Sequence, residues 1–262
     1  MTTAEERAAR AWLVGNGLPD APVSELLVAR LAARRRARLA DHVVLAAVII
    51  VAAGAHAANF SAPARSSPDR PVLLMVLGAA AAGLLVSRLL IARWLAAADR
   101  RAGAALPRRA AHAVKPGWRV VLGLPHAVFG LATLGVAVVL ALGAMTVEEP
   151  TVWQGGVILL VAVLGVGVGS AVQLRQLLTR PVVAEDEVSL TADVIMRVED
   201  AREATAPAVL WSLPVVLPFG LAPAWWNAAA VAAVVLGVAA LVLLHARTPG
   251  SLATARQAMI VQ

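Results

Sequence analysis

The chain has 262 residues, of which 60% are hydrophobic and only 15% charged, with a mean hydropathy of +0.78. A soluble domain carries about a quarter charged residues, and a water-soluble fold of this length could not hide so much apolar surface, so lipid is the expected solvent. The net charge is +7 and there is no cysteine. Disulfides, thiolate metal sites and thiol nucleophiles are thereby excluded, and the positive balance is accounted for by membrane sidedness rather than by nucleic acid.

Residues 1–41 form a polar, amphipathic amino-terminal region, expected to be cytoplasmic. Thr3 and Glu6 have capping-box spacing, which predicts a short helix over Ala4–Val14. Gly15, Asn16 and Gly17 end it, and Pro19 and Pro22 turn the chain. Ser24 is placed to cap a second helix that carries Arg34, Arg35, Arg36 and Arg38 among leucines; such a basic helix is expected at the headgroup surface. The first 23 residues show no apolar run of signal-peptide type, so the first hydrophobic stretch is expected to remain as a span.

Six apolar runs follow, at about 42–60, 72–94, 124–145, 152–174, 207–224 and 227–246. About 20 helical residues cross a hydrocarbon core of about 30 Å, so each is a candidate span. The fifth is the weakest, because Pro214, Pro218 and Pro223 interrupt it; a kinked or re-entrant segment is expected there. With odd-numbered spans running outward, 21 of 23 basic residues fall in cytoplasmic segments, and only Arg65 and Arg70 lie outside. The positive-inside rule requires this asymmetry. Trp94, Trp118 and Trp211 near cytoplasmic ends, and Trp153, Trp225 and Trp226 near outer ends, agree with it; Trp12 lies elsewhere. The expected fold is an all-α polytopic bundle in a bacterial plasma membrane. Its membrane domain covers 42–246, a short tail covers 247–262, and both termini are cytoplasmic.

No carboxylate lies inside a predicted span, and the only charge well within one is Arg88, which with Arg93 is expected to snorkel to the headgroups. Gly165 and Gly169 make a GxxxG pair in the fourth run, which predicts close helix packing within the bundle, with homodimerisation as the alternative. His42, His126 and His245 fall near cytoplasmic ends of different spans and His56 toward an outer end, without any ligand spacing, so no metal or cofactor is expected. P-loop, nucleophile-elbow and H-E-x-x-H motifs are absent. Ser87, Ser170 and Ser212 lie at the face opposite His56, so no catalytic residue is assigned and the chain reads as a non-enzyme.

The most distinctive stretch lies between the fourth and fifth runs, where residues 183–204 read as an amphipathic helix on the cytoplasmic side. Glu185, Asp186, Asp193, Glu199, Asp200 and Glu203 fall on one face; Val188, Leu190, Val194, Ile195, Val198 and Ala201 fall on the other. The acidic face would be repelled by anionic headgroups. It is expected to meet either the basic loop from Arg100 to Arg119 or a separate cytoplasmic protein. Arg180, Pro181, Ala184, Asp186, Ser189, Leu190, Asp193, Arg197, Glu199, Asp200 and Arg202 form a pattern that resembles one in uncharacterised actinobacterial multi-pass membrane proteins. The resemblance covers about a tenth of the chain and implies a lineage without a mechanism. The expected function is a non-catalytic membrane anchor or regulatory partner of another protein. The alternative is the permease subunit of an ATP-binding-cassette-type transporter with a separate ATPase and an apolar or lipidic substrate.

Overall fold

A computed structural model gives the fold and describes residues 3–61, 69–104, 117–180, 187–205, 208–248, 250 and 253–254. Among these residues every regular element is helical: α1 (Thr3–Gly15), α2 (Glu25–Ser61), α3 (Asp69–Ala104), α4 (Trp118–Val121), α5 (Leu124–Met145), α6 (Pro150–Thr179), α7 (Glu187–Ala204), α8 (Ala208–Val216) and α9 (Ala224–Arg247). Local chemistry sets several boundaries. Leu18 N–H donates to Leu13 C=O and Gly17 N–H to Val14 C=O, with Gly17 at φ 70°; this is the left-handed helix stop that glycine adopts without a Cβ penalty. Ser24 Oγ accepts from Leu27 N–H at 3.2 Å and caps α2.

Five helices, α2, α3, α5, α6 and α9, are long and apolar enough to cross a membrane. Their packed faces build one core, with Leu77 and Leu84 of α3, Ala141 of α5, Leu159 and Val163 of α6 and Trp226 of α9 all buried. Large apolar side chains such as Ile50, Met75, Leu131, Val139, Val161 and Leu236 point outward, the arrangement that a lipid solvent permits. Small residues let backbones approach: a Cβ on Gly156 of α6 would lie 3.0 Å from the Ala141 carbonyl oxygen of α5. Trp226 Nε1–H donates to the Leu140 carbonyl at 2.8 Å and ties the start of α9 to the far end of α5.

The fifth apolar run does not form a long helix. Only nine of its residues make α8, with Pro214 inside it, and turns occupy Leu217–Ala222. Prolines lack the N–H that a continuing helix needs, and Leu217 N–H, donating to Leu213 C=O, is the last bond before Pro218. One face of the segment is held by protein, with Val209, Leu210, Leu213 and Val216 buried in the common core, while Val215 is exposed. It runs from Thr205, beside Gly130 early in α5, to Pro218, beside Gly155 early in α6.

Helices α2 and α3 have 37 and 36 residues, which at 1.5 Å per residue is about 55 Å each, far more than a bilayer core of about 30 Å. Their surplus turns continue past the bundle and, with α1, α4, the end of α6 and α7, form a separate head. At its centre lies α7, with residues 191–198 all buried.

Candidate functional site

The head is organised by two complementary charge stripes. On α2, Arg30, Arg34 and Arg38 recur every four residues and so share one helix face. On α7, Asp193 and Asp200 are seven residues apart, again one face, with Glu199 and Glu203 beside them. The stripes meet in order. Arg30 Nη2 bonds Asp193, Arg34 Nη2 donates to Asp200 Oδ2 at 2.9 Å, and Arg38 Nε donates to Glu203 Oε2 at 2.7 Å. Glu199 accepts from the Trp12 indole N–H at 3.2 Å and lies 3.7 Å from Arg38 Nη2. Trp12, the tryptophan outside both interfacial belts, thus docks α1 onto α7.

Asp99, at the end of α3, is the hub. It accepts from Arg30 at 3.4 Å, from both terminal nitrogens of Arg34 at 3.2 Å and from Arg180 Nη1 at 2.9 Å. Arg197 completes the lattice. Its Nε donates to Asp193 Oδ2 at 2.8 Å, while Nη1 donates to the Arg180 carbonyl at 3.0 Å and so closes the carboxyl end of α6. Arg30, Arg34, Asp99, Asp193 and Arg197 are all buried. Buried charges persist only when paired and hydrogen-bonded, which these are. Burial, with Arg34 and Arg197 acting the same way and Asp99 and Asp200 opposing, draws the Arg180 guanidinium below the usual arginine range.

These contacts revise several sequence expectations. The acidic face of α7 is paired by the α2 arginines; of the basic loop, Arg108, Arg109 and Lys115 lie outside the described residues, as do Glu185 and Asp186 of the acidic stretch. Asp193 and Asp200 are therefore committed within the chain. Of the four arginines expected at headgroups, Arg34 is buried in the lattice and Arg38 is paired with α7, while Arg35 and Arg36 remain exposed. The apolar face of α7 is buried as well, with Val198 and Ala201 against Val121 and Leu177, and on the acidic side Ala192 and Met196 pack between the carboxylates against Leu13 and Leu27. Arg88 does not simply snorkel: its Nε and Nη2 grip Asp41 of α2 at 2.9 and 3.3 Å.

The other candidates separate. A Cβ on Gly165 would meet Leu85 of α3 at 2.7 Å, so that glycine serves packing inside the bundle, whereas Gly169 faces open space. His126 and His245 meet edge to face with ring centroids 6.3 Å apart, and His42 is exposed on α2. Among the described residues no three metal-ligating side chains group together. His56 Nε2 lies 3.0 Å from the Val216 carbonyl at the end of α8, while its buried Nδ1 has no partner among the described residues. Asp99 escaped the sequence reading, although it is the single carboxylate in the strongly basic stretch from Arg88 to Arg119.

A cavity of about 100 Å³ lies where head and bundle meet. Its walls come from α2 (Arg38, Asp41), α3 (Arg88, Leu95), the end of α6 (Gln176, Arg180) and α7. Arg34, Arg180 and Asp200 of the lattice are among its lining residues. Comparison of the chain with family models, with curated proteins and with solved structures gave no match.

Proposed function

We propose that this chain is a non-catalytic integral membrane protein that anchors a folded cytoplasmic head and presents it to a partner protein. The observation that carries the reading is the buried lattice. By tying α7 to the overhanging turns of α2 and α3, it makes the head a rigid continuation of two bundle helices. A head fixed in this way holds a surface at a set distance from the bilayer, which suits an anchor or a regulatory partner. With the acidic face of α7 used internally, the contact surface falls on the outer side of α1 and α2, where Arg7, Arg10, Arg35 and Arg36 are exposed. Such a surface fits an acidic protein partner.

In this reading the chain crosses a bacterial plasma membrane six times, with the α8 segment as the fifth crossing and both termini in the cytoplasm. Support comes from the basic-residue asymmetry and from the contacts of α8, which begin near the start of α5 and end near the start of α6. A permease subunit with a separate ATPase is the second reading, favoured by the proline-broken α8 inside the core and by the cavity beneath the head.

Gentle-detergent purification from the native host, with mass spectrometry of what co-purifies, tests the proposal. The expected result is one stoichiometric cytoplasmic protein, lost in the combined variant Arg7→Glu, Arg10→Glu, Arg36→Glu. A stoichiometric P-loop ATPase moves the conclusion to the permease reading, and capture unaffected by the triple variant rules out the α1/α2 surface.

A further inference from the structure

We propose that the cavity between head and bundle binds an anionic phosphate group, held at headgroup level by Arg88, Arg180 and the Gln173 and Gln176 amides. Three carboxylates also line it, but each already has an arginine: Asp41 has Arg88, Asp200 has Arg34 and Glu203 has Arg38. Arg180 is the lining cation left over. Its carboxylate is Asp99, which Arg30 and Arg34 share.

Donors remain for an anion. Arg88 uses Nε and Nη2 on Asp41, and Arg180 uses Nη1 on Asp99, so Arg88 Nη1 and Arg180 Nε and Nη2 have no partner among the described residues. The Gln173 and Gln176 amides, one turn apart on α6, likewise make no hydrogen bond among the described residues, and both line the cavity. Guanidinium forks match phosphate oxygens in pairs. A space of about 100 Å³ is too large for a single water, whose share of liquid volume is about 30 Å³. The lowered affinity of Arg180 for its proton, caused by burial among other guanidiniums, is what a bound anion would relieve.

The depth of the cavity points to a lipid as one source of the phosphate. On α2, Leu39 and Val43 precede and follow Asp41 by two residues and are exposed, and on α3, Leu90 and Trp94, two and six residues after Arg88, are exposed. Apolar side chains and an interfacial tryptophan in these positions mark the boundary of the hydrocarbon. Basic pockets between spans at this level hold anionic headgroups. A soluble phosphate ester has the same recognition chemistry, and the two sources are separable by experiment. The inference needs only that the bundle sits in lipid and does not depend on the partner reading.

The test is the thermal unfolding temperature of the full chain in neutral detergent with added phosphatidylglycerol, diacylglycerol or glycerol 3-phosphate. The expected result is a rise with phosphatidylglycerol and none with diacylglycerol, which has the chains but no phosphate. Gln176→Glu and Gln173→Glu, which add negative charge without breaking any ion pair, should weaken the effect at least tenfold, as should Arg88→Gln. Arg93→Gln, exposed on the same helix, should not. An equal rise with glycerol 3-phosphate supports the site and assigns it to a soluble ester. No phosphate-dependent rise, or one that survives both glutamate variants, overturns it.

Discussion

At the scale of single residues, the lattice predicts very unequal costs for outwardly similar changes. Asp99→Ala removes a buried carboxylate from three guanidiniums, and stranding buried charge costs about 3–5 kcal/mol. Glu5→Ala breaks the pair with Arg36, whose side chain is 69% exposed, and exposed pairs contribute about 1 kcal/mol at most. Thermal unfolding followed by fluorescence compares the two, and equal losses would mean that the head does not depend on its buried charges. Trp12 bonds Glu199 of α7, so Trp12→Phe is expected to loosen α1 at a cost of about 1.5–3 kcal/mol if the charged hydrogen bond is lost without replacement. Protease sensitivity of α1 reports it.

At the scale of elements, glycines separate contacts inside the bundle from faces left open. Gly237 of α9 lies against the Trp211 indole of α8, where an added Cβ would sit 2.6 Å from Nε1. The indole is rigid, so Gly237→Ala is expected to overpack this contact by about 1–3 kcal/mol, read as a lower unfolding temperature. Gly169→Ala meets nothing within 4 Å. It should gain about 0.5–1 kcal/mol from helix propensity in a monomer. A loss of stability together with a change in oligomeric mass would instead show that Gly169 faces a second copy. The stop of α1 at Gly17 and the cap of α2 at Ser24 were legible because they depend on a few neighbouring residues. The shortness of α8 was only half legible. Its prolines announce a break, but the surrounding core decides whether a broken segment can remain buried.

At the scale of the whole molecule, the absence of native cysteine makes sidedness directly measurable. Glu148→Cys, in the short exposed loop between α5 and α6, should react with a membrane-impermeant maleimide in intact cells. Arg36→Cys in the head should react only after the cells are opened. Labelling of both in intact cells, or the reverse pattern, would contradict the proposed orientation.

Composition and the spacing of apolar runs by themselves determined that this chain is helical and belongs in lipid. Transfer from water is a sum of local terms, and a sum over about 20 residues is already decisive. The stripe of Asp193 and Asp200 was legible for the same reason, since helical periodicity is local. What met the stripe was not. Arg30, Arg34 and Arg38 look like headgroup anchors on a lone helix, and Asp99 looks incidental among basic neighbours. Pairing depends on the rotation and register of α2, α3, α6 and α7 relative to one another. Only the tertiary structure brings those helices together, and only burial turns their charges from solvated surface groups into a lattice that must be completed.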